Sequence, residues 1–344
     1  MEPETEQQLR KEYGISQYAA LTLIRGGTAN LNYLVQSSED KFILRIRNKK
    51  YSADPWITYE EEYLNYLKEQ GIPVPTILAN KKGELHTVIE DQVYQLTSFM
   101  EGSACNSGDR KQIAGSGRFL AKLHNTLADF VPTADKRLPR YDDPSVMLTQ
   151  LEAYMEKNKQ QSHNAEWEQL IWIKSQLNEI VQHIPDSYYN ALSKVVIHGD
   201  YHPANVAYRE AEICALFDFD WISLQPRVRD VVDGIIYFAG VRQGGIDGND
   251  IFSLTRSCSF EWGRIRDFVI GYNQTGQQPL QPDEVYSIPY LMSARLINSR
   301  IQALAKISVD RHLEMLTAGL ISPLLWIEEN REHLIEEVRK QKYT

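Results

Sequence analysis

The stretch VIHGDYHPANV, residues 196–206, places four side chains of catalytic or metal-binding type directly after a β-branched apolar run. These side chains are His198, Asp200, His202 and Asn205. On a regular strand the first three would share one face, where imidazole and carboxylate groups suit zinc or another divalent transition metal. A glycine and a proline interrupt that strand pattern, and no second cluster of histidines or cysteines is obvious. A catalytic loop and a polar turn that only satisfies backbone groups are the other two interpretations.

The spacing of the acidic and amide residues favours the catalytic loop. Asn205 follows Asp200 by five positions, and Asp218, within FDFD at 217–220, comes thirteen positions later at the end of the next apolar run. Protein kinases use a loop of type H-x-D-x-x-x-x-N, then a hairpin, then a metal-binding aspartate. Phosphoryl transfer needs one carboxylate to accept a hydrogen bond from the attacking hydroxyl. It also needs an amide oxygen and a second carboxylate to hold Mg²⁺ against the phosphates of ATP. The pattern therefore predicts Asp200 as the catalytic residue, and Asn205 and Asp218 as metal ligands.

HGDYHPANV followed by LFDFDW resembles the motifs of the aminoglycoside phosphotransferase, choline kinase and type II homoserine kinase superfamily. The resemblance spans residues 21–290, although only these two motifs are specific. It implies an α+β, two-lobed protein-kinase-like fold with a small β-rich N-lobe and a larger, mainly helical C-lobe. It also implies an ATP- and Mg²⁺-dependent phosphotransferase that moves the γ-phosphoryl group to a hydroxyl of a small molecule. The alternative is a non-catalytic, spore-coat-like binding or structural protein with a kinase fold, and a metallohydrolase ranks third.

The distribution of local patterns agrees with two lobes. Residues 1–100 alternate short β-like runs with turns and contain one amphipathic helix, which we expect between an Asp54 cap and Gly71. Residues 101–344 are mainly helical apart from a short β insertion that carries the two motifs. The sequence thus predicts an N-lobe over 1–100 and a C-lobe over 101–344.

The first hairpin offers a loop that could cover phosphates. IRGGTANLNYLV contains Gly26 and Gly27, whose backbone N–H groups can approach phosphate oxygens, and Asn30, whose side chain can add a contact. No G-K-[ST] follows, so this is not a Walker loop. Most glycine pairs of this kind are ordinary turns. The interpretation as a phosphate-covering loop is supported by the resemblance of this segment to the G-G-x-x-N motif of the superfamily.

A basic residue and an acidic partner are expected behind that hairpin. Aligning FILRIR with the superfamily puts Arg45 where protein kinases carry lysine; choline kinases also have arginine here, and a guanidinium binds phosphate in a bidentate fork. Glu60 lies on the apolar helical face of Ile57 and Leu64, where a carboxylate is costly unless it is paired. We therefore predict an Arg45–Glu60 ion pair in the nucleotide site.

Other site residues follow from the resemblance or from local spacing, since Asp220 comes two positions after Asp218 and would share its face on a continuous strand. The segment Ser98, Phe99, Met100 and Glu101 corresponds to the hinge whose backbone binds adenine. Asp220 and His202 are candidates for contact with the substrate or a second metal. His124 and His198 are expected to have packing or bracing roles, and Asp230 to cap a helix and brace the loop.

The net charge and composition of the chain limit the kinds of molecule that it is expected to bind. A net charge of −9 over 344 residues repels phosphate backbones, so nucleic acid is not expected. The sequence shows neither a signal peptide nor an apolar run long enough for a membrane span, and its three scattered cysteines form no disulfide framework, which predicts a cytoplasmic protein. The expected partner is a small-molecule hydroxyl acceptor. Aromatic residues beyond Asp230 would suit an amine-bearing one. The oligomeric state is left open.

Overall fold

The computed structural model describes residues 1–24, 30–161, 165–242, 244 and 250–341. Its N-lobe is a sheet flanked by two helices. The elements are α1 (Pro3–Tyr13), β1 (Ala20–Ile24), β2 (Leu31–Gln36), β3 (Lys41–Ile46), α2 (Trp56–Glu69), β4 (Ile77–Leu78), β5 (Thr87–Ile89) and β6 (Gln92–Ser98). Within the described residues the antiparallel strands have the order β1-β2-β3-β6-β4, with β5 also paired to β6. This arrangement confirms the β-rich N-lobe.

Helix α2 packs across the boundary between the lobes. Its apolar face, which includes Tyr63, Leu64 and Leu67, is buried in the same hydrophobic core as the C-lobe helices. Burying each such side chain contributes roughly 1.5–3 kcal/mol. The prediction that Asp54 caps this helix is wrong, because the Asp54 carboxylate accepts a hydrogen bond from the Thr58 hydroxyl at 2.7 Å and makes no cap bond to the backbone.

The C-lobe is mainly helical, as predicted. Its helices are α3 (Arg110–Leu127), α4 (Pro144–Lys157), α5 (Ala165–His183), α6 (Asp186–Ala191), α7 (Val228–Gly234), α8 (Trp262–Thr275), α9 (Pro282–Ala303), α10 (His312–Thr317), α11 (Ile321–Glu329) and α12 (Arg331–Lys340). Helices α3 and α8 lie in close contact, since a Cβ atom at Gly117 of α3 would clash with the backbone carbonyl of Phe268 in α8. Helix α7 continues into a π-helical turn over Ile235–Ala239.

In the described part of the C-lobe, three strand pairs lie between the helices. The strands are β7 (Lys194–Ile197), β8 (Val206–Arg209), β9 (Glu212–Leu216), β10 (Ser223–Pro226), β11 (Gly240–Arg242) and β12 (Cys258–Phe260). Strand β7 pairs with β10, β8 with β9, and β11 with β12, all antiparallel. This topology brings the loop after β7 beside the segment 217–220 that follows β9.

Strand β6 ends at Ser98 and α3 begins at Arg110, so the connection between the lobes lies between them. The division into residues 1–100 and 101–344 stays a prediction. Across the described ranges, no helix has both the length and the apolar character that crossing a bilayer would require.

Candidate active site

The loop after β7 is held by a buried carboxylate. Asp230 accepts the backbone N–H groups of His198 at 2.7 Å and Gly199 at 2.9 Å, and lies 3.2 Å from His124 Nε2. Gly199 has φ +80°, and a Cβ atom there would lie 2.5 Å from the Trp221 carbonyl, which explains the glycine in the motif. Burial alone would raise the pKa of Asp230, but His124, His198 and the Gly199 N–H lower it below its usual range.

Asp230 lies within the first turn of α7, and Arg227 is the N-cap, so the prediction of an Asp230 N-cap is wrong.

His198 ties this loop to the segment that follows β9. Its Nε2 lies 2.9 Å from the carbonyl of Phe217, and its Nδ1 accepts the backbone N–H of Asp200 at 3.3 Å. These contacts fit the neutral tautomer with the proton on Nε2. The Phe217 N–H donates to the carbonyl of Asn205 at 2.8 Å, which adds a second link. The loop and the FDFD segment are therefore held as one unit.

Asp200 projects into a cluster of cationic and amide groups. Its Oδ2 lies 3.2 Å from His202 Nε2 and 3.3 Å from Asn205 Nδ2, and its Oδ1 lies 3.3 Å from Arg295 Nη2. Burial would raise the pKa of Asp200, but His202 and Arg295 hold it well below its usual range. The side chain retains 25% of its exposure. Asp200 is therefore an ionised, accessible carboxylate that can accept a hydrogen bond from a hydroxyl group.

Asn205 and Asp218 present oxygen atoms that fit a divalent cation. The Asn205 amide N–H donates to the Asp200 carbonyl at 3.0 Å, which leaves its Oδ1 for another ligand. Asp218 has φ +61°, uncommon for a residue with a side chain, and its Oδ1 is buried without a hydrogen bond. Burial and the neighbouring Asp220 raise the pKa of Asp218, although Arg45 lies 3.7 Å away. A buried carboxylate oxygen without a donor and a nearby amide oxygen are ligands that Mg²⁺ prefers.

Among the described residues, no group of three or more His, Cys, Asp and Glu side chains is arranged to hold a metal ion by itself. A cation at Asn205 and Asp218 would therefore need further oxygen ligands, such as phosphates or water.

The expected ion pair between Arg45 and Glu60 is present. Arg45 Nη1 lies 2.9 Å from Glu60 Oε1, and Arg47 Nη2 lies 2.8 Å from Glu60 Oε2. Burial would raise the pKa of Glu60, but the two arginines outweigh it and lower the pKa to about 2. The sequence analysis missed Arg47. Arg47 could have been predicted, because it comes two positions after Arg45 and residues two apart on a strand share a face.

Both carboxylate oxygens of Asp220 accept hydrogen bonds from N-lobe side chains, and its contact with a substrate or second metal stays a prediction. Its Oδ1 accepts from Arg45 Nη2 at 2.8 Å, and its Oδ2 accepts from Asn30 Nδ2 at 2.7 Å. Asn30 also uses its amide oxygen, which accepts the backbone N–H of Asn48 at 2.9 Å. The Asn30 side chain therefore links the two lobes, and its contact with a nucleotide stays a prediction. Gly26 and Gly27 lie outside the described residues.

The predicted hinge contains a backbone position that is free to bind a ligand. The N–H and C=O groups of Met100 have no hydrogen-bond partner in the described part of the chain. Ser98 is held by Thr76, whose backbone N–H donates to the Ser98 hydroxyl at 2.9 Å. The side chains of Phe99 and Glu101 face Lys41, which lies 5.4 Å from the Phe99 ring and 3.6 Å from Glu101.

Lys136 is a site residue that the sequence analysis missed. It comes from the segment between α3 and α4, and its Nζ donates to the Asp220 carbonyl at 2.9 Å. The ammonium group also lies 4.6 Å from the ring of Trp56 in α2. Burial lowers the pKa of Lys136 to about 8, even though Glu60 and Asp220 act in the opposite direction. A lysine in a polar stretch usually indicates a solvated side chain. The neighbouring sequence therefore gave no indication that Lys136 is buried at the site.

Arg295 of α9 is the third residue that was not predicted from the sequence. It contacts Asp200 from a position ninety-five residues later in the chain. The neighbouring His202 was predicted near substrate. It lies against Asp200, and its Nδ1 accepts the backbone N–H of Ala204 at 3.2 Å.

A groove of about 800 Å³ lies beside Lys136, between residues 130–140 and strands β7 and β10. Asp200, Asn205 and Asp218 do not line it. It is therefore separate from the cluster that the two motifs form.

Residues 20–268 of the chain match the model of the phosphotransferase enzyme family. A homoserine kinase of Rhodopseudomonas palustris (strain BisA53) is 24% identical over 279 residues, which cover 81% of this chain and 77% of that protein. An uncharacterized protein of Synechocystis sp. is 28% identical over 211 residues, covering 58% of this chain. The chain spans 55% of the length of that Synechocystis relative.

Two solved structures show the same fold at low sequence identity. An amicoumacin kinase, solved with AMP-PNP, Ca²⁺ and Ami, has a TM-score of 0.67 and 17% identity, covering 98% of this chain and 93% of that one. A microcompartment-associated aminopropanol kinase has a TM-score of 0.61 and 16% identity, with coverage of 97% and 98%. The family match and these neighbours confirm the kinase-like fold and the resemblance drawn from the two motifs. They also support phosphotransferase activity toward a small molecule.

Proposed function

Because the chain belongs to the phosphotransferase enzyme family, we propose that it transfers the γ-phosphoryl group of ATP, with Mg²⁺, to a hydroxyl group of a small molecule. One observation carries the proposal. The ionised carboxylate of Asp200 lies in the same hydrogen-bonded unit as the Asn205 amide and the Asp218 Oδ1, which accepts no hydrogen bond. This is the set of groups that in-line phosphoryl transfer to an alcohol requires.

Asp200 is the proposed catalytic residue. Its carboxylate orients the acceptor hydroxyl by accepting its hydrogen bond, and takes the proton as the bond to phosphorus forms. His202 and Arg295 hold the carboxylate ionised and fix its direction. A weak base suits a loose transition state, in which the hydroxyl loses its proton late.

Asn205 and Asp218 are the proposed metal ligands, through the Asn205 amide oxygen and the Asp218 carboxylate. Mg²⁺ bound by them would neutralise charge on the β- and γ-phosphates and orient them for transfer. Arg45 lies 3.7 Å from Asp218, on the N-lobe side, and is held by Glu60. We assign it to the phosphates, where a guanidinium adds fixed positive charge. The Met100 backbone is assigned to the adenine ring, with Ser98, Phe99 and Glu101 shaping that edge of the cleft.

Nucleotide binding and turnover test separate parts of this proposal. Purified protein is first screened by thermal shift with ATP and Mg²⁺, since a ligand at 100 times its Kd stabilises by about 2.7 kcal/mol. ATP consumption is then measured against a panel of amino, sugar and aminoglycoside alcohols. With the acceptor found, Asp200→Asn should keep the thermal shift and lose about 10²–10⁴-fold in turnover. Asp310→Asn, at an exposed position, is the matched control and should behave as wild type.

Two results would contradict the proposal. Wild-type turnover by Asp200→Asn would remove the catalytic assignment. Failure of every nucleotide to stabilise the protein would instead favour the alternative, a kinase-fold protein with a binding or structural role.

A further inference from the structure

The rings of Tyr141 and Tyr237 both lie against the guanidinium group that contacts the carboxylate of Asp200. That group belongs to Arg295, whose Nη2 lies 3.3 Å from Asp200 Oδ1, and the two ring centres lie 5.6 and 5.2 Å from it. Tyr237 also packs beside the other neighbour of Asp200, because its ring centre lies 5.9 Å from that of His202. Both tyrosines therefore border the place where the acceptor hydroxyl would meet Asp200.

The hydroxyl groups of these two tyrosines are available to a ligand. Both residues are half-buried, both hydroxyl groups remain accessible to solvent, and neither makes a hydrogen bond to the described residues. Burial raises the pKa of both phenols, Arg295 lowers it and Asp200 raises it further, so both oxygen atoms lie within the electrostatic field of the reacting carboxylate. A phenol hydroxyl can donate one hydrogen bond and accept another. The pair therefore offers hydrogen bonds beside Asp200 that the described residues leave unused.

The faces of the two rings, in contrast, already carry cations. Arg229 lies 5.0 Å and Arg295 5.6 Å from the centre of the Tyr141 ring, and Arg242 lies 5.3 Å from the centre of the Tyr237 ring in addition to Arg295. A guanidinium group over an aromatic ring is a favourable contact, but an ammonium group on the same ring would lie beside a like charge. These rings therefore do not form a cage for an ammonium group, which the aromatic composition had suggested.

The charged groups around Asp200 already have opposite partners. Arg295 is shared between Asp200 at 3.3 Å and Asp233 at 2.6 Å, and His202 lies 3.2 Å from Asp200. A carboxylate on the acceptor would have to compete with both aspartates for Arg295. An ammonium group would lie near Arg295 and His202, while Asp233 is fully buried and already paired. Because an ion is costly to desolvate without a partner, either charge on the acceptor is unfavourable here.

Trp221 extends the same surface toward the N-lobe. Its ring centre lies 4.7 Å from that of Tyr141 and 6.2 Å from that of Tyr51. The side chain is half-buried, and its indole N–H makes no hydrogen bond to the described residues. An apolar ring face with a hydrogen-bond donor at its edge suits a carbon skeleton that bears hydroxyl groups.

We propose that the hydroxyl groups of Tyr141 and Tyr237 bind a second hydroxyl group of the acceptor, and that the acceptor is an uncharged polyol. This inference rests on the proposed function. One hydroxyl group of the polyol would donate to Asp200, and a neighbouring one would exchange hydrogen bonds with the two phenols. Tyr141 and Tyr237 are therefore assigned as residues that determine the specificity for the acceptor.

The first experiment measures binding without turnover, with compounds that share a skeleton and differ in charge. Sorbitol is compared with glucamine and gluconate, and glycerol with serinol and glycerate. Kd is measured by saturation-transfer NMR, with and without AMP-PNP and Mg²⁺. In at least one set the polyol should bind about 10-fold or more tightly than both charged analogues. Failure of both polyols to bind, or binding of a charged analogue as tight as that of its polyol, would overturn the proposal.

Removal of single hydroxyl groups tests the two residues. Tyr141→Phe and Tyr237→Phe keep the rings and should each raise the Kd of the preferred polyol by about 3–10-fold. Tyr18→Phe is the matched control, since Tyr18 is 87% exposed, and it should bind as wild type. Both site variants should unfold at the wild-type urea concentration, because no hydrogen bond to the described residues is lost. A clear loss of stability would indicate a structural role for the hydroxyl group and would overturn the assignment, as would wild-type affinity in both variants.

The second experiment measures turnover with ATP and Mg²⁺. Tyr141→Phe and Tyr237→Phe should raise KM for the preferred polyol by the same factor as Kd and leave KM for ATP unchanged. An equal rise in both KM values would show that the tyrosines do not act on the acceptor.

The proposed function and this inference can fail separately. Polyol binding that Tyr141→Phe weakens, in a protein that transfers no phosphoryl group, supports the acceptor site and contradicts the proposed function. Preferential phosphorylation of the amine or the carboxylate in each set supports the function and contradicts the site.

Discussion

Arg295 links the catalytic-loop carboxylate of Asp200 to the buried carboxylate of Asp233. Its Nη2 lies 3.3 Å from Asp200 Oδ1, and its Nε lies 2.6 Å from Asp233 Oδ1. The guanidinium also lies over the rings of Tyr141 and Tyr237, at 5.6 and 5.2 Å. Helix α9, far along the chain from the motifs, therefore sets the direction in which Asp200 faces.

Replacing Arg295 should separate its effect on Asp200 from its effect on Asp233. Arg295→Met should lower kcat by about 10–100-fold, because the reacting carboxylate loses its orientation, with little change in KM for ATP. It should also lower the free energy of unfolding by roughly 3 kcal/mol, since Asp233 is left buried and unpaired. The double variant Arg295→Met, Asp233→Asn should recover much of the stability but not kcat. Steady-state kinetics and urea denaturation measure the two effects, and recovery of kcat in the double variant would contradict the positioning role.

Asp218→Asn should remove the part of nucleotide binding that depends on the metal. In the wild type, ATP should raise the unfolding temperature more with Mg²⁺ than with EDTA, and this difference should vanish in the variant because a carboxylate ligand has been lost. The protein alone should stay close to wild type in stability, since the Asp218 Oδ1 has no hydrogen bond to lose and its ion pair with Arg45 spans 3.7 Å. Asp310→Asn again serves as control. A Mg²⁺-dependent shift of wild-type size in Asp218→Asn would rule out this residue as a ligand.

The buried carboxyl of Asp233 should make stability depend on pH. Burial raises its pKa to about 6, although Arg295 and Arg229 lower it. An unfolded aspartate titrates near ~3.9, so between these values the folded protein binds a proton that the unfolded chain has released. This stabilisation is complete below about pH 4 and is lost as the pH rises through 6. The unfolding free energy of wild type relative to Asp233→Asn should therefore fall by about 2 kcal/mol from pH 4 to pH 7.

Urea denaturation of both proteins at pH 4, 5, 6 and 7 measures this difference. Asp310→Asn should show the wild-type pH profile throughout. A difference between wild type and Asp233→Asn that stays constant, or grows with pH, would contradict the raised pKa.

Lys136→Met should loosen the contact between helix α2 and the C-lobe. The variant loses the hydrogen bond to the Asp220 carbonyl and the charge over Trp56, each worth on the order of 1 kcal/mol. Amide hydrogen exchange in Trp56–Glu69 should accelerate by about 5–30-fold, as that energy implies. Lys194→Met, at an exposed position, should leave it unchanged. Wild-type exchange in Lys136→Met would show that the lysine does not restrain the helix.

The sequence predicted the parts of the site that depend on local geometry. Asp200, Asn205 and Asp218 come from one loop and the end of the following hairpin, so their spacing alone brings them together. Glu60 required only helical periodicity and the cost of burying a charge without a partner, whereas Arg45 was placed by aligning its strand with the superfamily.

The residues that the sequence did not predict depend on long-range packing. Lys136 and Arg295 reach the site from a loop and a late helix, and neither has a local signal that distinguishes it from a solvated basic residue. Asp220 was assigned to substrate because it follows Asp218 by two positions, which share a face on a continuous strand. Asp218 has a positive φ, which breaks that strand. Arg45 lies 2.8 Å from Asp220 and 3.7 Å from Asp218, and Asn30 donates a hydrogen bond to Asp220.

The carboxylate of Asp220 accepts hydrogen bonds from two N-lobe side chains, Arg45 and Asn30. Both hydrogen bonds are short and end on the same residue, Asp220. A rotation of the N-lobe relative to the C-lobe must therefore break both of them. Movement of the two lobes should therefore be a transition between two discrete arrangements and not a gradual rotation. If the chain binds a nucleotide as proposed, release of that nucleotide would require these two hydrogen bonds to break.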